Sequence, residues 1–154
     1  MLGGARSGKS TFGEELARGL GGDAVLYVAT AVVSHGDEEL SRRVRVHQGR
    51  RPSGWSLLEL SGGGLEPVFD SVRGHGAVLF DSLTLWVSAG MYRETDESIV
   101  DELDRFLVDA ASLPEPMIVV SDEVGLGLVP QSAEGRRFRD LLGMINQRVA
   151  AVSD

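Results

Sequence analysis

Apolar positions along the chain follow two spacings in turn. Short apolar runs have the length and the β-branched composition of buried strands. Between these runs, apolar residues recur every three or four positions, as on a helix with one buried face. The predicted strands are Val25 to Ala29, Ser56 to Leu60, Ala77 to Phe80 and Met117 to Val120.

The helical spacing begins near the N-terminus. Phe12, Leu16 and Leu20 repeat at helical intervals, and Gly21 with Gly22 indicates the C-terminus of that helix. A second helix is predicted to begin near Asp37 and to carry Leu40 and Val44 on one face. Later helices are predicted up to Arg73, through Trp86, from Glu97 to Ala111, and in a last segment with the apolar face Phe138, Leu141, Leu142, Ile145 and Val149.

A glycine-rich segment opens the first predicted helix. Gly3 to Ser10 reads GGARSGKS and satisfies the pattern GxxxxGK[ST]. In such a loop, backbone N–H groups and the helix N-terminus face phosphate oxygens, Lys9 neutralises the outer phosphates and Ser10 ligates Mg²⁺. Lys9 is also the single lysine among fifteen lysines and arginines, which fits a place that needs a compact ammonium. The alternative is a glycine-rich turn that matches by chance.

Strands that alternate with helices after such a loop predict an α/β fold. We expect a P-loop NTPase-like (RecA-like), mostly parallel sheet with helices on both faces. Neither a repeat nor a linker divides the chain, so residues 1–154 are predicted to form one domain. Only Met1 and Leu2 precede Gly3, and the chain stops just after its last helix, so we expect this domain to lack a strand at each end.

Composition narrows the classes of function. The net charge of -8 argues against a general affinity for nucleic acid or for an anionic membrane, because the long-range field repels both. The absence of cysteine excludes disulfides and thiol catalysis. The longest largely apolar stretch, Ala24 to Val33, is too short to span a bilayer, and no signal-like pattern opens the chain, so a cytoplasmic protein is expected.

Two acidic positions are candidates for the Mg²⁺ carboxylate that a phosphate loop requires at the end of a neighbouring strand. Asp81 ends the third predicted strand, and Asp122 with Glu123 follows the fourth. Position alone does not rank them. Either acid is equally compatible with a helix cap or a solvated loop.

A histidine among arginines is the candidate nucleophile. His47 lies between Arg45 and Arg50, in a stretch that also contains Arg42, Arg43 and Arg51. Guanidinium groups hold a triphosphate and favour the neutral imidazole, which can attack phosphorus. The residues alone favour a different interpretation, a boundary histidine on the face of the second helix. A small GTPase is excluded, because the guanine-reading Asn-Lys-x-Asp motif has no counterpart in a chain with one lysine and one asparagine.

Several segments together resemble the bifunctional adenosylcobinamide kinase / adenosylcobinamide-phosphate guanylyltransferase family. The resemblance covers essentially the whole chain, and it departs from the family where Val46 replaces the first of two adjacent histidines and Asp122 replaces an asparagine. The segments are GGARSGKS at Gly3, YVAT at Tyr27, the stretch from His47 to RPSGW at Arg51, Glu59, DSLTLW at Asp81, EVGLGLVP at Glu123 and RRFRDLLGMINQRVA at Arg136.

The resemblance implies roles for these residues. His47 would become guanylylated and Lys9 would assist catalysis, with Ser10 and Asp81 as the Mg²⁺ ligands, so that Asp81 is preferred over Asp122. It also implies GTP, ATP and Mg²⁺ as cofactors, a corrinoid substrate and a homotrimer. The implied nucleotide contacts are Gly3, Gly4, Ala5, Arg6, Ser7, Gly8, Lys9, Ser10, Thr30, Ala31, Val32, Gln48, Gly49, Arg50, Arg51, Glu59 and Asp81.

Two other functions remain as alternatives. A simple P-loop small-molecule kinase would transfer the γ-phosphate without a covalent nucleotide, and His47 would then be structural. A nucleotide-binding regulator would hold GTP without transferring any group. The guanylyltransferase hypothesis predicts, in contrast, that GMP becomes attached to His47.

Overall fold

A computed structural model of the chain describes residues 1–31, 38, 42, 49, 52–60 and 63–154. The second helix predicted near Asp37 lies largely outside the described residues. The described strands are β1 (Leu2–Gly3), β2 (Val25–Ala29), β3 (Ser56–Glu59), β4 (Ala77–Asp81) and β5 (Met117–Asp122). The helices are α1 (Lys9–Gly21), α2 (Glu66–Ser71), α3 (Leu83–Gly90), α4 (Asp96–Ala110) and α5 (Ala133–Ala151).

The five described strands form one sheet in the order β1-β5-β4-β2-β3. Every described pairing is parallel, and Ala29 of β2 lies opposite both Asp81 of β4 and Glu59 of β3. The carboxyl ends of all five strands therefore meet at one edge. The predicted α/β class with a mostly parallel sheet is confirmed.

Helices cover both faces of the sheet. Neighbouring residues of a strand point to opposite faces, and consecutive residues of β2 are apolar, so both faces need to be covered. On one face, Val25 and Tyr27 of β2 pack with Ala17 of α1. On the other face, Leu26 and Val28 of the same strand belong to a larger core that receives apolar residues from α2, α3, α4 and α5. The predicted apolar face of α5 is confirmed, with Leu141, Leu142 and Ile145 buried and Phe138 and Val149 packed beside them.

The first helix is confirmed, but its apolar repeat does not face the sheet. Phe12, Leu16 and Leu20 are exposed, whereas the buried residues of α1 are Gly13, Glu14 and Ala17. A Cβ at Gly13 would lie 3.2 Å from Val120 Cγ2 and 3.3 Å from Leu79 Cδ1. The helix thus packs closely against β4 and β5 through small residues, and helical spacing predicted the helix without predicting which side is buried.

Trp55 anchors the end of α1 to the start of β3. Its side chain is buried, its Nε1–H donates to the carbonyl of Gly22 at 3.2 Å, and the Arg18 guanidinium lies 5.9 Å from the ring centroid. This contact combines burial with a cation–π interaction. Within the described part of the chain, no helix is long and apolar enough to cross a membrane.

Candidate nucleotide-binding site

The glycine-rich loop joins β1 to α1 at the carboxyl edge of the sheet. Gly8, with φ 87°, is the residue just before α1, a backbone conformation that favours glycine. Arg6 also has a positive φ of 59°. The Gly3 carbonyl accepts a hydrogen bond from the Glu123 N–H at 3.0 Å, which attaches the loop to the end of β5. The loop therefore leads from the end of β1 into the N-terminus of α1, the end of a helix at which anions bind.

Lys9 is the first residue of α1, and its largely buried ammonium forms an ion pair with the carboxylate of Asp122. The same ammonium donates to the Gly4 carbonyl at 3.3 Å. In this structure Asp122 thus contacts the lysine that the sequence assigns to the outer phosphates. A phosphate group at this position would compete with the carboxylate for the ammonium.

Asp81 lies on the neighbouring strand and faces Ser10. The Ser10 hydroxyl lies 3.5 Å from Asp81 Oδ1, and the Tyr27 hydroxyl donates to Asp81 Oδ2 at 2.8 Å. A serine hydroxyl and a carboxylate are the hard oxygen donors that Mg²⁺ prefers. This pair fits a Mg²⁺ ion, whereas Asp122 is turned toward Lys9. The sequence alone did not distinguish Asp81 from Asp122 as the candidate for Mg²⁺, whereas in the structure only Asp81 faces Ser10.

The ends of β2 and β3 continue the same edge. Thr30 is buried, and its hydroxyl donates to the Ser82 carbonyl at 2.6 Å and accepts from the Ser82 N–H at 2.9 Å. Ala31 is half-buried, and Glu59 is exposed at the end of β3, in register with Asp81 across β2. Thr30 therefore ties β2 to the residue after Asp81, and Ala31 and Glu59 lie at the edge that carries the loop.

Two residues that support this site have no assigned role in the sequence. Asn146 of α5 accepts from the Ser121 hydroxyl at 2.7 Å and donates to the Asp122 carbonyl at 3.0 Å. Thr84 of α3 accepts from the Asp122 N–H at 2.8 Å. Together they position the end of β5 from two helices. Both residues lie in segments that carry the family resemblance, Thr84 in DSLTLW and Asn146 in RRFRDLLGMINQRVA, which was the available sign.

Part of the predicted site is not described. Val32, His47, Gln48, Arg50 and Arg51 lie outside the described residues, so their predicted roles remain predictions. Gly49 is described as an exposed helical residue. His75 has no predicted role, and its Nδ1 lies 3.2 Å from the Val72 carbonyl.

Three arginines at the start of α5 make contacts within the chain. Arg136 donates to the carbonyls of Pro130 and Gln131, and Arg139 pairs with its neighbour Asp140. Arg137 Nε donates to Asp96 Oδ1 at 2.8 Å, which raises the pKa of the guanidinium. These contacts connect α5 to the preceding loop and to the start of α4.

Fold and site together define an α/β nucleotide-using enzyme with a phosphate loop. The chain matches the family described as "CobU: Cobinamide kinase / cobinamide phosphate guanyltransferase" over residues 1–154. It therefore belongs to that family, and the resemblance stated from the sequence motifs is confirmed. Members of the family are kinases and nucleotidyltransferases.

Curated relatives agree with this assignment. The chain is 37% identical over 150 residues to the bifunctional adenosylcobalamin biosynthesis protein CobP of Pseudomonas aeruginosa, covering 97% of this chain and 85% of that protein. It is 32% identical to the bifunctional adenosylcobalamin biosynthesis protein CobU of Salmonella typhimurium and 30% identical to the protein of the same name from Escherichia coli. Each of these two matches covers 100% of this chain and 90% of the relative.

Proposed function

We propose that this chain phosphorylates adenosylcobinamide and then transfers GMP from GTP to the product through a guanylylated His47, giving adenosyl-GDP-cobinamide. The single observation that supports the proposal best is the convergence of Lys9 and Ser10 with the ends of two adjacent strands, in a chain that matches the family throughout. The loop supplies phosphate contacts, and the strand ends supply carboxylates. Both transfers require such a site.

The triphosphate would lie across the glycine-rich loop. Backbone N–H groups of the loop would face its oxygens once the Ser7 N–H leaves the Gly4 carbonyl, and Lys9 would leave Asp122 to contact the outer phosphates. Ala31 and Glu59 would border the nucleoside at the same edge, together with Thr30, Val32, Gln48, Gly49, Arg50 and Arg51. Thr30 would act through its contact with Ser82, because its hydroxyl donates its proton to the Ser82 carbonyl and accepts from the Ser82 N–H.

Ser10 and Asp81 are the residues that would hold Mg²⁺. When bound, Mg²⁺ neutralises charge on the phosphate oxygens and fixes their orientation. The Tyr27 hydroxyl holds Asp81 from the opposite oxygen, so that Oδ1 remains turned toward Ser10. Tyr27 is thus assigned the positioning of the carboxylate.

The kinase step joins the substrate hydroxyl to the γ-phosphorus. The hydroxyl oxygen forms the new O–P bond, the bond from the γ-phosphorus to the bridging oxygen breaks, and the nucleoside diphosphate leaves while the hydroxyl proton passes to solvent. Lys9 stabilises the charge that spreads over the phosphoryl oxygens. We propose ATP and GTP alike as donors for this step, because the glycine-rich loop would contact the phosphates and not the base.

The guanylyl transfer uses two displacements. An imidazole nitrogen of His47 attacks the α-phosphorus of GTP, an N–P bond forms, and the bond to the bridging oxygen breaks to release pyrophosphate. A phosphate oxygen of adenosylcobinamide phosphate then attacks the same phosphorus and the N–P bond breaks, which returns the free imidazole. Covalent catalysis separates two bulky anionic substrates in time.

The test is covalent labelling with α-labelled GTP and Mg²⁺. The unaltered chain is expected to acquire an acid-labile, alkali-stable label, whereas His47→Asn is expected to acquire none. His75→Asn serves as the matched control, because it removes a histidine whose ring lies against the Val72 carbonyl. That variant should label like the unaltered chain.

The same preparation should phosphorylate adenosylcobinamide from a γ-labelled nucleoside triphosphate. A chain that transfers the γ-label but never acquires the α-label would be a simple kinase. A chain that returns the nucleotide unchanged after long incubation with cobinamide would be a binding protein. Either result would overturn the proposed covalent transfer.

A further inference from the structure

A strongly apolar loop follows β5 at the edge that carries the phosphate loop. In it Leu126 is 92% exposed, Leu128 97% and Val129 65%. A contiguous exposed apolar patch marks an interaction site, above all in a chain of net charge -8. We propose that the loop from Gly125 to Pro130 binds the corrinoid ring of the substrate. This proposal rests on the proposed function and adds the residues that recognise the acceptor.

The start of the loop is held by one carboxylate. Glu123 Oε1 accepts from the Gly125 N–H at 2.6 Å, and Oε2 accepts from the Leu126 N–H at 3.1 Å. A Cβ at Gly125 would lie 2.8 Å from Glu123 Oε1, so a larger residue here would displace the carboxylate from its present position. The N–H groups of Gly125 and Leu126 are thus paired with Glu123, while the Leu126 side chain is exposed.

The end of the loop is held by α5. Arg136 Nη1 donates to the Pro130 carbonyl at 3.0 Å and to the Gln131 carbonyl at 2.7 Å. Pro130 packs so closely on the helix that a Cβ at Gly135 would lie 2.8 Å from its Cβ. The apolar side chains are therefore presented by a loop with two fixed ends, and a preorganised surface loses less entropy when it binds a rigid ligand.

The loop also begins beside the glycine-rich loop that would hold the phosphates. Glu123 donates its N–H to the Gly3 carbonyl, and the preceding Asp122 contacts Lys9. Leu126 follows Glu123 by three residues, so it lies within about 10 Å of that attachment point by chain length alone. A ring held on Leu126 and Leu128 could direct a side arm toward the phosphate bound at Lys9.

The chemistry of the acceptor fits this surface. A corrinoid is a large, rigid macrocycle with methyl groups on its faces and amide side chains around its rim, so much of its surface is apolar. The described groups around the phosphate loop are instead charged or hydroxylic, namely Lys9, Ser10, Asp81 and Asp122. Ligand sites combine an apolar area for the body of the ligand with a few polar groups for the reacting end.

The test separates acceptor recognition from nucleotide handling. The double variant Leu126→Ser with Leu128→Ser is expected to raise KM for adenosylcobinamide at least about tenfold, because apolar contact of this size is worth one to two orders of magnitude. The Kd for GTP measured without corrinoid should stay within about twofold of the unaltered chain. Val108→Ser is the matched control: Val108 is 70% exposed near the end of α4, where the chain turns toward the opposite edge of the sheet.

Three outcomes would overturn the proposal. The first is an unchanged KM in the double variant, and the second is an equal rise in KM for Val108→Ser. The third is a change in the solution mass of the double variant, which would assign the loop to contacts between copies. If instead the unaltered chain fails to phosphorylate adenosylcobinamide, the proposed function itself fails, and that result is obtained before any variant is compared.

Discussion

Lys9 is held by an acid that a nucleotide would have to replace. Its ammonium contacts Asp122, and the backbone of Asp122 is fixed by Thr84 on one side and Asn146 on the other. Two helices therefore fix the main chain of Asp122, and its carboxylate reaches Lys9 from that fixed position. The resemblance to the family places an asparagine here, so this chain carries an added charge next to the lysine that we propose binds phosphate.

Asp122→Asn is expected to tighten nucleotide binding about three- to tenfold, on the order of 1 kcal/mol. Phosphate oxygens would then no longer compete with a carboxylate for the ammonium. Titration calorimetry with GTP measures the effect. Asp140→Asn is the control for the change in net charge, because Asp140 is an exposed acid of α5 paired with Arg139. Weaker binding in Asp122→Asn would instead assign Asp122 to the metal or the nucleotide.

At the scale of elements, α4 supports α2 through one half-buried carboxylate. Glu102 Oε1 accepts from the Leu65 N–H at 2.8 Å, at the N-terminus of α2. Burial raises the pKa of Glu102, and the negative charges of Glu66 and Glu94 raise it further, while the Leu65 hydrogen bond and Arg93 lower it. The contact therefore links two helices, but the ionised form is the less favourable one.

The raised pKa of Glu102 determines whether its contribution to stability rises or falls with pH. Above the ordinary value of 4.5, the folded chain still binds the Glu102 proton after the unfolded chain has released it. Stability from this group is thus present below that pH and is lost as the pH rises through the folded pKa. Glu102→Gln keeps an acceptor for Leu65 and is expected to be more stable than the unaltered chain at neutral pH.

Urea denaturation from pH 4 to pH 8 measures this difference. The advantage of Glu102→Gln should grow with pH, and Asp101→Asn, an exposed position on the same helix, should show no such growth. A difference that is constant across the pH range would contradict the account. The free energy of unfolding, and not activity, is the quantity to compare.

At the scale of the whole molecule, the sheet brings the site together from distant parts of the chain. The strand β5 lies between β1 and β4, so that Lys9 meets Asp122 on one strand and Ser10 meets Asp81 on the next. The exposed apolar residues of α1, Phe12, Leu16 and Leu20, add a second surface on the face of the sheet that α1 covers. Association of copies would bury apolar area of this kind.

We therefore expect the chain to form the homotrimer that the resemblance implies. Light scattering after size exclusion should give about 50 kDa, three chains of 16.5 kDa. A mass near 16.5 kDa at the concentrations used for activity would contradict the trimer. Dilution should distinguish a stable assembly from one formed only at high concentration.

The local pattern of residues was sufficient to predict most of the strands and helices and the glycine-rich loop of this protein. Strands and helices follow from spacing, and the phosphate loop is one contiguous motif, so Lys9 and Ser10 could be assigned from neighbouring residues alone. Spacing also predicted α1 from Phe12, Leu16 and Leu20, but it could not show that the glycine side of the helix meets the sheet.

Only the tertiary structure showed that Asp81 contacts Ser10 and that Asp122 contacts Lys9. Ser10 and Asp81 are 71 positions apart, and their contact depends on the order of the strands, which no local spacing contains. The same holds for Asn146, whose contacts with Ser121 and Asp122 arise because α5 packs beside the end of β5. The amino-acid sequence by itself determined the elements and the loop. The pairing of strands brought the residues of the site together. Parallel strands are joined by long crossover connections, so residues that meet at one edge of the sheet are far apart in the sequence.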